Sequence, residues 1–281
     1  MTGWPRVLRR GLALFPAFGI LTGLFFVPIA LLLAVSFWWI RSYKLVPGFS
    51  LDAYLRTFSF YGPLFISTML IAAVVALLCV VVGFVFAYGA RFRSGRFGDL
   101  FILATMITLF GGYLVKIYSW KAILSANGIL NSALIWLGLI DTPITWFIFN
   151  RGAVIVALAH FLLPFAILPI YSALRNVPEI TLEAARDLGA SPWTTLVRVV
   201  LPQCKAGLVA AFAICFLSAA GDYVTPMFLG GGSGIMLGQF IVSEFSTRFN
   251  WPVGAAMSFS LMGVSALVIA AVWLAVVGRR A

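Results

Sequence analysis

Charged residues are scarce in this chain: only 10% of its 281 residues are Asp, Glu, Lys or Arg, against about 25% in soluble proteins. Hydrophobic residues reach 63%, where a soluble domain holds roughly 45–50%. A soluble core could not hide this excess, because even a 300-residue domain leaves about a quarter of its chain surface wet. The composition excludes a soluble enzyme, a secreted disulfide scaffold and a disordered tail, and it predicts an all-α, polytopic integral membrane protein.

Histidine and cysteine are also rare. The single histidine is His160, and the three cysteines, Cys79, Cys204 and Cys215, lie singly in or beside apolar segments. Such isolated cysteines are typical of buried thiols, so we expect neither a disulfide framework nor a metal site. An intramembrane enzyme would need a carboxylate pair, a metal-ligand set or an activated serine. One histidine and one clear intramembrane acid cannot build most of these sites, so we expect no catalytic residue and no cofactor in this chain.

Acidic residues number eight against 19 lysines and arginines, giving a net charge of +11. The basic residues lie between apolar runs, which favours a role in membrane topology over nucleic-acid binding.

A spanning helix needs about 20 mostly apolar residues. The candidates are residues 12–39, 63–90, 100–124, 152–174, 206–229 and 252–278. Segment 128–140 is apolar but short, so we interpret it as an interfacial helix rather than a seventh span.

Six spans place both termini on one side of the membrane. Twelve basic residues fall on that side and seven on the other, so the positive-inside rule predicts cytoplasmic termini. We divide the chain into an N-terminal part, residues 1–62, and a core transmembrane domain of five helices, residues 63–281. The N-terminal part comprises a cytoplasmic segment, the first span and the first outer loop.

One predicted cytoplasmic loop, residues 178–202, contains residues that are typical of the start and the end of a short helix. Pro178 suits a first helical position, and Glu179 and Glu183 favour the positive N-terminal end. Gly189 stands where a left-handed helix stop belongs. Because an isolated helix below about 12–15 residues is marginal in water, this helix is either a solvated connector or a docking element. The residues alone leave these alternatives open.

A second helix follows in the same loop. Ser191 and Pro192 predict its N-cap and first turn, and we expect Pro202 to end it. Ala184 and Ala185 would give the first helix a thin surface that permits close seating against a partner. Arg186 and Asp187 would add directional contacts.

The sequence of this loop resembles a family signature. Glu183-Ala184-Ala185, Gly189, and then Val199 with Leu201-Pro202 are spaced as in the EAA loop of ABC importer permeases, in which Ile is usual at the position of Val199. The resemblance implies a type I importer-like fold whose coupling helix docks on a separate ATPase. The residues that would form this joint are Glu183, Ala184, Ala185, Arg186, Asp187 and Gly189.

Other segments resemble the spermidine/putrescine branch of that family: residues 117–120, 127–131, 160–171, 221–226 and 250–256. This resemblance implies a multi-pass permease of a bacterial inner membrane that moves a polyamine by alternating access. It also implies three partners: a cytoplasmic ATPase dimer that binds ATP and Mg²⁺, a second and different permease chain, and a periplasmic solute-binding protein. Relatives with this signature also carry amino-acid-like or opine-like solutes and ferric iron. A self-sufficient secondary transporter would instead show inverted repeats and several paired intramembrane charges.

Asp222 is the ionisable residue that stands out inside a predicted span, and such groups are functional by default because their burial is costly. Ser218, Asp222 and Thr225 are spaced to share one helix face. With Tyr223, and with Tyr118 and Trp120 nearby, this face would attract an organic cation. Alternatively, Asp222 pairs with Lys116 or Lys121, or caps a break imposed by Pro226.

Overall fold

The computed structural model describes residues 19–41 and 44–278. Most of this part is helical, which confirms the all-α, polytopic prediction. The helices are α1 (Gly19–Val35), α2 (Asp52–Phe92), α3 (Gly98–Leu109), α4 (Tyr113–Leu124), α5 (Ile129–Trp136), α6 (Arg151–Arg175), α7 (Glu179–Asp187), α8 (Pro192–Ala220), α9 (Val224–Leu229), α10 (Leu237–Ser246) and α11 (Trp251–Val276). A short antiparallel hairpin joins β1 (Trp39–Arg41) to β2 (Lys44–Val46), with Trp39 opposite Val46.

Four helices in the described part, α2, α6, α8 and α11, are long and apolar enough to cross a membrane. The segments Gly95–Leu109 and Tyr113–Trp136 together pass the same test but are bent by 92°, which makes a fifth, broken span possible. The first predicted span, residues 12–39, begins outside the described residues, and its described part is helical only to Val35. Predicted cytoplasmic residues at both chain ends also lie outside the described residues.

The structure differs from the prediction at the end of the first span and at the start of the second. α1 stops at Val35 because Ser36 turns the chain: its hydroxyl donates to the Leu33 carbonyl at 2.6 Å and bonds the Tyr54 hydroxyl at 2.9 Å. α2 begins at Asp52 rather than near Pro63, which lies inside the helix. Ser50 Oγ accepts the Asp52 amide at 3.0 Å, so a side chain just before the helix satisfies its first free amide.

The predicted third span is not one straight helix. Gly112 has φ of +62°, a left-handed conformation that favours glycine, and a new helix, α4, begins after it. The prediction of a continuous helix through residues 100–124 was therefore wrong, since a left-handed residue cannot propagate a right-handed helix.

Two compact units divide the described chain: one holds the residues up to Tyr61 with Phe240–Ser260, and the other holds Gly62–Gln239 with the residues from Leu261 onward. In the first unit, Arg248 pairs with the buried Glu244 at 3.0 Å, as the i, i+4 spacing predicts. Tyr61 donates a further hydrogen bond to Glu244 at 2.9 Å. The predicted division at residue 62 into an N-terminal part and a five-helix core stays a prediction.

The second unit has its core between α2, α6 and α8. A Cβ added to Gly207 on α8 would lie 2.5 Å from Ala173 Cβ and 2.8 Å from the Pro169 carbonyl, so the backbones of α6 and α8 approach closely. Such small-residue contacts are how spanning helices pack without a hydrophobic driving force. The three cysteines are buried and free, as the sequence predicted.

Candidate coupling segment and solute cavity

The coupling segment, residues 178–202, begins with the short helix α7. Pro178 is the N-cap, with extended backbone at φ −68° and ψ 136°, rather than the first helical residue. Leu182 is buried and anchors the helix to the protein. Glu179, in the first turn, pairs with Arg91 of α2 at 3.0 Å. α7 is therefore fixed on one side by packing and at its start by an ion pair.

Gly189 ends α7 as the sequence predicted. Its φ is +77°, and a side chain built there would meet nothing within 4 Å. The Gly189 amide donates to the Arg186 carbonyl at 2.8 Å, and the Ala190 amide donates to the Ala185 carbonyl at 2.9 Å. These two bonds define a Schellman motif, which satisfies the last carbonyls of the helix by backbone alone.

The coupling segment exposes large apolar side chains. Ile180 is 71% exposed, Leu188 87% and Trp193 72%. Glu183, Arg186 and Asp187 are also exposed, and across the described chain they form no ion pair. An exposed apolar surface carrying unpaired charges is typical of a protein interaction site. This surface therefore fits a docking element better than a solvated connector.

The second helix of the loop starts as predicted but does not end as predicted. Ser191 Oγ accepts the Thr194 amide at 3.2 Å, which makes it the N-cap. Instead of stopping at Pro202, the helix continues through a π-helical turn, Leu196–Val200, to Ala220. A proline clashes with the carbonyl four residues before it, here that of Arg198. The wider π turn contains that carbonyl and accommodates the proline.

The predicted fifth span breaks at Gly221. α8 ends at Ala220, and the short helix α9 starts at Val224. Ser218, Asp222 and Thr225 therefore do not share one helix face, because the helix that would align them stops before Asp222. The i, i+4, i+7 prediction was wrong at this point.

The Asp222 carboxylate caps α9. Its Oδ1 accepts the Val224 amide at 3.1 Å, and its Oδ2 accepts the Thr225 amide at 3.3 Å. Tyr113 at the start of α4 donates its hydroxyl to Oδ1 at 2.5 Å and bonds Thr225 Oγ1 at 2.8 Å. The capping alternative is thus the observed arrangement. Within the described residues no ion pair joins Asp222 to Lys116 or Lys121.

Tyr113 is the residue that sequence reasoning missed. It connects the bent third span to the broken fifth span through Asp222. The signal was the Gly111-Gly112 pair, which marks the break after which Tyr113 begins a helix. A break at that point frees a side chain to reach across to another helix.

A cavity of about 270 Å³ adjoins this cap, lined in part by Tyr113, Phe161, Ser218, Asp222 and Tyr223. Three of the predicted pathway residues, Ser218, Asp222 and Tyr223, therefore meet at one cavity.

The other predicted pathway residues lie elsewhere. Thr225 is buried beneath the cap. Tyr118 packs on the Phe228 ring at 5.1 Å, and Trp120 Nε1 donates to His160 Nδ1 at 3.2 Å. None of these three residues lines the cavity.

Lysine side chains stand over two aromatic rings in this region. Lys116 Nζ lies 5.4 Å from the centre of the Phe161 ring, which lines the cavity. Lys121 Nζ lies 5.6 Å from the centre of the Phe228 ring. Both distances suit a cation–π contact, so the region already holds positive charge of its own.

Comparisons with known proteins agree with this architecture. Residues 17–281 match the family model described as binding-protein-dependent transport system inner membrane component. The chain is 34% identical over 226 residues to the spermidine/putrescine transport system permease protein PotB of Escherichia coli (strain K12), covering 80% of this chain and 82% of that one.

Two solved structures share the fold. One is a bacterial ABC transporter involved in the import of the acidic polysaccharide alginate, with a TM-score of 0.75, 14% identity, and coverage of 98% of this chain and 99% of that one. The other is a bacterial alginate ABC transporter in complex with an alginate pentasaccharide-bound periplasmic protein, with a TM-score of 0.73 and 13% identity, over 95% of this chain and 94% of that one.

Proposed function

This chain belongs to the family of inner-membrane components of binding-protein-dependent transport systems, and from that premise we propose that it carries a small organic cation of the polyamine class. The observation that supports this cargo most directly is the 34% identity to the spermidine/putrescine permease over 80% of the chain. The chain is a transport component, a permease subunit embedded in the inner membrane, and the chemical work of hydrolysing ATP falls to a separate subunit.

The coupling segment connects this permease to its ATPase. α7 exposes Ile180 and the small Ala184, and Leu188 is exposed directly after its end. A rigid helix with such a surface can seat in a groove of a cytoplasmic ATPase dimer. Closure of the dimer on ATP and Mg²⁺ then displaces α7 and, through it, α8. This assignment places the coupling segment and both chain termini on the cytoplasmic side, in line with the distribution of basic residues.

The solute path lies around the broken spans. A periplasmic binding protein delivers the solute to the outer face, and the cavity beside Ser218, Asp222 and Tyr223 receives it. One chain encloses only half of such a path, so a second, homologous permease chain supplies the other half. Alternating access follows when the two halves rock about the cavity.

An amino-acid-like or opine-like solute is the second candidate. It is favoured by the charges at the cavity: Asp222 already accepts three hydrogen bonds, whereas Lys116 offers a cation over Phe161. A solute that carries a carboxylate as well as an ammonium group would use that lysine.

Uptake by cells that express the complete transporter tests the proposal. We expect these cells to accumulate radiolabelled spermidine or putrescine, and cells lacking this chain to lose the uptake. The matching periplasmic protein should bind the same solutes, and unlabelled spermidine or putrescine should compete with the uptake. Competition by amino acids but not by polyamines would replace the polyamine assignment with the second candidate.

A further inference from the structure

A polar cavity of about 320 Å³ lies where three helices reach one face of the protein. α2 ends there at Phe92, α3 begins at Gly98, and α6 ends at Arg175. The cavity is lined by Ala90, Arg91, Gly95, Asp99, Tyr171 and Arg175. It adjoins the coupling segment, because Arg91 also pairs with Glu179 of α7. The solute cavity beside Asp222 shares none of these residues.

The guanidinium group of Arg91 is held in one orientation, but one of its N–H groups lacks an acceptor among the described residues. Its Nη1 pairs with Glu179 Oε1 at 3.0 Å, and its Cζ lies 5.2 Å from the centre of the Phe92 ring. Its Nε is buried and has no hydrogen-bond partner among the residues that the structure describes. A buried N–H of a charged group without an acceptor is costly and points to an occupant that supplies one. The edge formed by Nε and Nη2 can donate two parallel hydrogen bonds to oxygens of a phosphate.

Arg175 supplies a second cation to the same cavity. Its side chain is exposed, and among the described residues it forms no ion pair. The nearby acid Asp99 is engaged by Tyr171, whose hydroxyl donates to Asp99 Oδ1 at 3.0 Å. The turn also carries Arg93 and Arg96, so arginines outnumber acids around the opening.

We propose that Arg91 and Arg175 form a binding site for a phosphate group, carried by the headgroup of an anionic phospholipid at this face of the membrane. Guanidinium groups bind phosphate bidentately and remain charged at all physiological pH values. The site lies at the ends of spanning helices, which is the level of the headgroups, and basic pockets between helices on the cytoplasmic side bind such lipids. That this face is cytoplasmic rests on the proposed function; the binding site itself does not.

The proposed site has a consequence for the coupling segment. One guanidinium would contact both the phosphate and Glu179, the first residue of α7. A bound headgroup would then hold Arg91 in the orientation that pairs with α7, so anionic lipid would steady the start of the coupling helix.

Lipid retention by the full chain tests the site. The chain is purified in mild detergent from mixed phosphatidylcholine and phosphatidylglycerol, and bound lipid is measured by native mass spectrometry. We expect a phosphatidylglycerol to be retained in preference to phosphatidylcholine by about tenfold. The double variant Arg91→Lys, Arg175→Gln should lose this preference, although the lysine keeps the charge opposite Glu179. The matched control, Arg93→Gln, Arg96→Gln, removes two arginines of the same turn and should keep it.

A second arm separates the two sources of phosphate. Inorganic phosphate is added to the chain in phosphatidylcholine alone, and thermal stability is recorded for the same variants. Protection by phosphate that depends on Arg91 and Arg175, without a preference for phosphatidylglycerol, would support the phosphate site and assign it to the free anion. Equal retention of phosphatidylglycerol by the wild type, the double variant and the control would overturn the proposal. Loss of spermidine uptake as such bears only on the proposed function, because lipid retention is measured without transport.

Discussion

Among the helix breaks in the second unit of this protein, those at Gly189 and Gly221 are satisfied in different ways. At Gly189, between α7 and α8, the backbone closes on itself through the Schellman bonds to Arg186 and Ala185. At Gly221, inside a predicted span, the next helix depends on side chains: Asp222 caps α9, and Tyr113 holds Asp222 from another part of the chain. In the hydrocarbon region of a membrane no water satisfies a broken helix, so side chains must do so.

The difference separates two kinds of function. The exposed break at Gly189 presents a stiff helix to a partner and has few internal contacts. The break at Gly221 opens a cavity and depends on the position of α4. Substitutions at the first break should therefore affect coupling, whereas substitutions at the second should affect stability together with the solute path.

The largest effect is expected for Gly189→Val. A β-branched residue at φ +77° costs about 1–2 kcal/mol or more, so the end of α7 must rearrange. We expect spermidine uptake to fall by about tenfold or more, while the chain still inserts and the partner ATPase still hydrolyses ATP. Uptake and ATP hydrolysis are measured on the same reconstituted transporter.

Gly138→Val is the matched control for this substitution. Gly138 has φ of +68° and, like Gly189, has nothing within 4 Å of an added Cβ, but it lies outside the coupling segment. It should suffer similar local strain and retain uptake. If both variants transported normally, the docking role of α7 would be wrong.

Tyr113→Phe should have the next largest effect. It removes the hydroxyl that bonds Asp222 and Thr225, at a cost of about 1–2 kcal/mol. We expect a lower melting temperature of the purified chain and a reduced uptake rate. Tyr223→Phe, at a residue of the same cavity whose hydroxyl has no hydrogen-bond partner in the described part of the chain, should leave the melting temperature unchanged. Equal melting temperatures for the wild type and Tyr113→Phe would show that the link between α4 and α9 contributes nothing.

Asp222→Asn tests whether the Asp222 carboxylate acts only as the cap of α9 or also contacts the solute. Asparagine is also a good N-cap, so we expect α9 to remain and the KM for a cationic solute to change by less than about threefold. Asp222→Ala, which has no cap, should lose stability as well. An increase of KM by about tenfold in Asp222→Asn, with an unchanged melting temperature, would instead show that the charge of Asp222 contacts the solute.

Glu179→Gln should have the smallest effect. The ion pair with Arg91 is partly exposed, with 65% of the Glu179 side chain in contact with solvent, and such pairs contribute about 0–1 kcal/mol. We expect almost no change in melting temperature, and the same result for Glu183→Gln, which has no partner in the described chain. A clear loss of stability for Glu179→Gln alone would mean that this pair holds α7 more firmly than its exposure indicates.

Local signals in the sequence were sufficient for the turn between α7 and α8. Gly189 and Ser191 act through their own backbone conformation and nearest neighbours, so their roles as helix stop and N-cap could be predicted from position. Pro202 misled the prediction because whether a proline ends a helix depends on the turn before it. Here a π turn accommodates the proline, and nothing in a single sequence requires that turn.

The solute cavity could be predicted only in part. Asp222 stood out because a charge within a span is costly, and Ser218 and Tyr223 lie with it at the cavity. The helix face that Ser218, Asp222 and Thr225 were predicted to share does not exist, because α8 ends at Ala220. Tyr118 and Trp120 were expected near Asp222, but in the bent third span they contact Phe228 and His160 instead.

The sequence by itself determined that this is a helical membrane protein, which family it resembles, and where the coupling helix starts and stops. These properties follow from composition and from contacts between residues close in the chain. Only the tertiary structure decided which side chain holds Asp222 and which side chains meet at the cavity beside it. Those features depend on residues about a hundred positions apart, and local propensity carries no information about which distant helix will supply the missing hydrogen bonds.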